Sequence, residues 1–213
     1  MDDQPAGMGR KTRWRRWHLA TGLALAIFAI PHVAGQLAAV AGAEGYRAVN
    51  DLLRSLYRQP WIEPILLATV GVHFASGAGL LFRQKTASAP ARSSGAALLL
   101  FLPVHLGGVL LCRHAFGLDS GFEFAAVGLQ RASSAWFFAP YYIFATTALG
   151  LHLGSAVARR RPSARPVVGL ALACGLAGGV LIVAALAGAF GPVSVAPAYY
   201  RLLGSEVEVE VRQ

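Results

Sequence analysis

Apolar residues fall into five long runs, at about 18–42, 61–82, 94–112, 134–158 and 166–191, each bounded by charged or turn-forming residues. Each run is close to the ~20 residues an α-helix needs to cross a bilayer. Their internal Gly and Pro are tolerated in membrane helices and damaging in soluble ones. The pattern predicts an all-α integral membrane bundle of five transmembrane helices. Residues 43–60 are different. Tyr46, Val49, Leu52, Leu53, Leu56 and Tyr57 recur at helical spacing among Glu44, Arg47, Asp51, Arg54 and Arg58, which predicts an amphipathic helix lying in the membrane interface. Residues 86–92 and the Gly- and Ser-containing stretch 113–133, with Asp119, Glu123 and Arg131, read as loops. The chain thus divides into a basic segment (1–17), a membrane domain (18–192) and a tail (193–213) that ends in a Glu206, Glu208, Glu210 alternation.

Composition agrees with a membrane protein: 55% of residues are hydrophobic and only 14% charged, against roughly 25% charged in soluble proteins. One bundle is expected, with no second soluble domain. A net charge of +9 raises nucleic acid as a partner, but the bases cluster beside the apolar runs, as membrane topology requires. The N-terminal segment, 83–93 and 159–165 hold twelve of the nineteen Lys and Arg, while the opposite loops hold eight of the ten acids. The positive-inside rule then places the N-terminus in the cytoplasm and, after five spans, the C-terminus outside. A cleaved signal peptide competes for the first run, but that run is longer than a signal's apolar region and is interrupted by Pro31-His32. Cys112 and Cys174 are far apart and form neither a metal-ligand spacing nor a disulfide framework.

Four runs each carry a histidine: His32, His73, His105 and His152. An ionisable side chain inside a membrane span marks a functional site by default. One such histidine is readily explained by a hydrogen bond to a neighbouring helix. Four are not, because each needs its own partner and few other polar side chains are available, chiefly Gln36, Thr69, Ser76, Thr146, Thr147 and Ser155. Metal ligation satisfies imidazole directly. Zinc sites favour a single centre with Cys or acid ligands, whereas haem iron takes axial ligands from opposite faces, so four histidines make two bis-histidine haems. Counting residues to the basic boundaries at ~1.5 Å each sets His73 and His152 at an inner depth and His32 and His105 about 10 Å further out. Gly35, Gly77, Gly107, Gly108, Gly150 and Gly154 lie near these histidines and either admit a flat porphyrin or serve ordinary helix packing. Pro31 and Pro103 precede two of them and are candidate kink positions.

Several stretches carry a family resemblance: Trp17-His18-Leu19-Ala20-Thr21-Gly22-Leu23 leading to Ile30-Pro31-His32, Gly71-Val72-His73 with Gly77, Ser94-Gly95 leading to Val104-His105, and Leu151-His152-Leu153-Gly154-Ser155. Over about residues 14–192 the chain resembles the five-helix dihaem cytochrome b membrane anchor of succinate:quinone oxidoreductases (succinate dehydrogenases and fumarate reductases). The resemblance implies that His73 and His152 hold a proximal haem b and His32 and His105 a distal one. It also implies a FAD-containing flavoprotein subunit and an iron–sulfur subunit as cytoplasmic partners, with quinone, menaquinone in first place, as the membrane substrate. The setting it implies is the bacterial cytoplasmic (inner) membrane. The chain itself has no Gly-rich dinucleotide motif and no cysteine cluster.

Secondary candidates follow. Glu63, between Pro60 and Pro64, is the first choice for a quinone proton relay, although an acid is also favoured at a helix N-terminus. Glu44 and Asp51 share that region. Arg83, Arg159, Arg160 and Arg161 are candidate propionate partners and also topology determinants. His18 and His114 read as interfacial, solvated imidazoles. Trp14, Trp17, Trp61 and Trp136 suit aromatic belts. Alternatives to the leading reading are a cytochrome b subunit of another dehydrogenase, and a haem-free anchor or transporter.

Overall fold

The computed structural model describes residues 6–83 and 88–204. Lys85, the Glu206–Glu210 alternation, and the side chains of residues 6–12 and of Arg83 lie outside the described residues. All regular structure in the described part is helical. The long helices are α1 (Ala6–Leu37), α3 (Ile62–Arg83), α4 (Ala89–Leu110), α6 (Ala132–Arg160) and α7 (Pro166–Leu186). The shorter ones are α2 (Gly42–Tyr57), α5 (Phe122–Val127) and α8 (Pro197–Tyr200). Four segments are long and apolar enough to cross a membrane: the stretch beginning with α1, then α3, α4 and α7. At 29 residues α6 has the length, but Pro140, Tyr141, Tyr142, Thr146, Thr147 and His152 dilute its apolar character.

The first apolar run does not end where hydropathy alone suggests. α1 stops at Leu37, a 3₁₀ turn covers Ala38–Ala41, and Gly42 takes φ +80°, a value natural only to glycine. Asn50 holds this corner. Its side-chain amide donates to the Gly35 carbonyl at 2.8 Å, and Tyr46 donates its hydroxyl to Gln36 at 3.1 Å. This takes up a carbonyl that the ending helix would otherwise leave free. α2 therefore buries Tyr46 and Asn50 and leaves Val49, Leu52 and Leu56 outward, as an interfacial helix should. Two loop expectations are corrected. Pro90, at the start of α4, fits a first turn and makes 89–92 helical, while 113–133 contains α5, whose Phe122, Ala125 and Ala126 are buried.

Neighbouring long helices run antiparallel. Gly22 and Gly77 meet His73 and His18 across α1 and α3, and α6 residues 154, 150 and 146 meet α7 near 168, 171 and 175. The α6–α7 contact is the closest in the molecule: Gly150, Gly154, Gly175 and Gly179 bring the two backbones together, as small residues do in membranes. This makes two groups, α1 with α3 and α6 with α4 and α7. Neither α1 with α4 nor α3 with α6 makes more than slight backbone contact. The groups join at the end capped by α2 and α5, where Ala39, Tyr46, Phe122, Ala126, Ile182 and Leu186 form the main core. Elsewhere large apolar side chains point outward (Ile27 is 79% exposed, Phe82 84%), which suits lipid rather than water. The opposite end carries Arg92, Arg159, Arg160, Arg161 and Arg165 and is called the basic end below.

Candidate functional site

The gap between the two helix groups is bridged by histidines. At its outer level, nearer the cap, His32 of α1 faces His105 of α4 with ring centres 6.1 Å apart. At the inner level His73 of α3 faces His152 of α6 at 6.5 Å. These are the two pairs that the depth count and the resemblance match. Their separation is larger than the count gave. Thr21, which touches His73, and Ser94, which touches His152, are each eleven residues before the outer histidine of the same helix, or ~16 Å along the axis rather than about 10 Å. The count assumed that the basic residues mark one height. Arg16 is only two residues from His18, which lies level with His73, while Arg83 is ten residues beyond His73, so the basic residues mark several heights.

His18 is a further correction. It is not a solvated interfacial imidazole: its ring stacks on His73 with centres 4.0 Å apart and lies 6.1 Å from His152. The ligand nitrogens of His18, His73 and His152 fall within 4.8 Å of one another. The sequence held a signal for this, because fourteen residues are just under four helical turns, so His18 and His32 share a face of α1. His114 is exposed, as expected.

Hydroxyls define the tautomers of the inner cluster. Thr21 donates to the Trp17 carbonyl at 2.7 Å, so its oxygen accepts from His73 Nδ1–H at 3.0 Å. Ser94 donates to the Pro90 carbonyl at 2.7 Å and accepts from His152 Nδ1–H at 3.3 Å. Ser76 donates to the His73 carbonyl at 3.0 Å and accepts from His18 Nδ1–H at 3.3 Å. With Nδ1 protonated, each Nε2 keeps its lone pair, which is how outer partners prepare a metal-ligating imidazole. His32 and His105 have no hydrogen-bond partner among the described residues. Instead Phe28 and Phe101, each one turn earlier, stack on them at 5.2 and 5.0 Å.

This arrangement can be tested for fit to haem. Two imidazoles ligating one metal from opposite faces, with bonds of about 2.0 Å and ring centres about 1.1 Å further back, place those centres about 6.2 Å apart. The outer pair, at 6.1 Å, and the inner pair, at 6.5 Å, both lie close to that spacing. The indole Nε1 of Trp14 and the hydroxyl of Ser155 are buried without partners, one turn towards the basic end from His18 and His152. Ser155 is exceptional: Thr21, Ser76, Ser94, Thr146 and Thr147 all donate back to their own helix. Two orphaned donors beside the inner histidines suit the carboxylates of a porphyrin.

The glycine expectation divides. Gly35 packs on Asn50 and Leu53, Gly150 and Gly154 on α7, and Gly77 on His18, so these four serve helix packing; Gly107 has open space beside it. Trp14 lies against Gly79 rather than in a belt, whereas Trp17, Trp61 and Trp136 are exposed. Arg159, Arg160 and Arg161 are exposed at the end of α6, where topology accounts for them.

At the capped end Glu63, in the first turn of α3, forms a two-point ion pair with Arg113. Arg113 and His114 belong to a π-helical turn, Leu111–Ala115, that ends α4; such turns recur at functional sites. Cys112 is buried in this turn and Cys174 is exposed. Asp119 accepts from Arg54 and Arg58 and gives its carbonyl to Tyr199 at 2.9 Å. Burial works to raise the Asp119 carboxyl, but the two arginines outweigh it and hold the group below its ordinary value. Burial pushes the Tyr199 phenol up to about 12. Asp51 pairs with Arg54, and Glu44 is exposed.

The chain matches no known protein-family model, no curated protein and no solved structure.

Proposed function

We propose that this chain is a dihaem cytochrome b membrane anchor, in which His32 with His105 would hold one haem and His73 with His152 the other. The observation that carries this reading is the pair of opposed imidazoles, spaced for one metal each, across a gap that direct helix packing leaves open. Bound there, haem b supplies one-electron redox chemistry. Thr21 and Ser94 orient the inner imidazoles, Phe28 and Phe101 support the outer ones, and Trp14 and Ser155 offer hydrogen bonds at the basic end. In this reading α6 is the fifth span. The basic end faces the cytoplasm by the positive-inside rule, and the capped end faces outward.

Resemblance takes the reading one step further, to the anchor of a succinate dehydrogenase or fumarate reductase in a bacterial cytoplasmic membrane. Its partners would be flavin and iron–sulfur subunits docked on the basic end, and its membrane substrate quinone, with menaquinone the first choice. Glu63, held by Arg113 at the capped end, is the candidate proton relay. The test is a dithionite-reduced minus oxidised spectrum and a pyridine haemochrome count on the purified chain. Two b haems per chain are expected; none, from folded protein supplied with haem, refutes the reading.

A further inference from the structure

The inner level holds three imidazoles where two suffice. His18 and His73 lie side by side, 4.0 Å apart, and face His152 at 6.1 and 6.5 Å. In a triangle with those sides, His18 and His73 lie on the same side of His152, separated by about 37° as seen from it. The spacing to His152 does not favour His73, since the His18 distance equals that of the outer pair. Nor does preparation of the nitrogen. Ser76 accepts a hydrogen bond from His18 Nδ1–H just as Thr21 does from His73 Nδ1–H, and both leave Nε2 free. Packing is built around His18 as well: a methyl group on Gly77 would come within 3.2 Å of its ring.

We propose that His18 is a second ligand-competent imidazole at the inner site, so that His152 can share the metal with either His18 or His73. This rests on the haem reading above. It makes the inner site degenerate on one side and strict on the other, while the outer site has one imidazole on each side.

The experiment uses the full chain and counts b haem per folded protein by pyridine haemochrome, with low-temperature EPR to distinguish the ligand sets. His152→Ala should fall from two haems to one. His73→Ala should keep two, with a shifted low-spin EPR signal for the inner haem. His18→Ala should keep two with the parental signal, and the His18→Ala/His73→Ala double variant should fall to one. The outer haem reports folding in every case. A His73→Ala protein with only the outer haem overturns the proposal and leaves the dihaem reading intact. Failure of both His73→Ala and His73→Gln to accumulate folded protein counts against it equally, since a competent His18 would fill the site. Absence of haem from the parent chain refutes the underlying reading instead.

Discussion

Gly175 is one of the positions where the α6 and α7 backbones are pressed together. A methyl group there would stand 3.1 Å from both Thr146 C and Thr147 Cα, and closer still to the Thr146 carbonyl oxygen. All three atoms are backbone, so no rotamer change relieves the collision. Ordinary van der Waals contact begins at 3.4 Å, and restoring it at the carbonyl requires the helices to part by on the order of 1 Å. Overpacking of this kind costs about 1–3 kcal/mol. For a chain of this length that corresponds to a drop in Tm of about 2–12 °C. The assay is thermal unfolding of detergent-solubilised protein followed by circular dichroism, with Gly169→Ala and Gly178→Ala as controls on the same helix. A methyl group at either control position meets nothing within 4 Å, and alanine is the better helix former by up to about 1 kcal/mol, so both should be neutral or slightly stabilising. If Gly175→Ala melts with the controls, α6 and α7 are not packed through this seam.

Other outcomes follow from the site and the cap. Ser94→Ala removes the acceptor that orients His152, the one imidazole on its side of the inner site, and should weaken inner haem binding about 10–100-fold, measured by haem titration of the apoprotein, with the outer haem unchanged. Asn50→Ala frees the Gly35 carbonyl and should destabilise the α1–α2 corner by about 1–3 kcal/mol, seen as faster protease cleavage between residues 37 and 42. Asp119 titrates below its ordinary 3.8 in the folded chain, so its contribution is present above that pH and lost as pH falls through the folded value. The 116–121 loop should therefore become protease-sensitive in acid, and Asp119→Asn should be sensitive at neutral pH too. Glu63→Gln should keep two haems while slowing quinone-dependent reoxidation; unchanged reoxidation would remove Glu63 from the relay.

The long helices and both histidine pairings were legible because burial in lipid forces long apolar runs and makes every polar group inside them conspicuous. What hydropathy does not encode is height. Arg16, Arg83 and Arg159 bound their runs equally well, yet they lie at different distances from the histidine level, which compressed the spacing and pushed His18 to the surface of the reading. Thr21 and Ser94 stood inside the resembling stretches without a visible role, since an inter-helix hydrogen bond leaves no trace in a single helix's periodicity. α5 escaped for the opposite reason: six residues are too few to show a period.

The two helix groups make their main common core only at the capped end. Further inward the groups meet through the histidines, and at the basic end α3 runs into α4 within six residues. The histidine level is therefore held between two ends that are each tied, one by packing and one by the chain itself. Loosening either end would change both imidazole spacings together, so the two pairs behave as one mechanical unit rather than as independent sites.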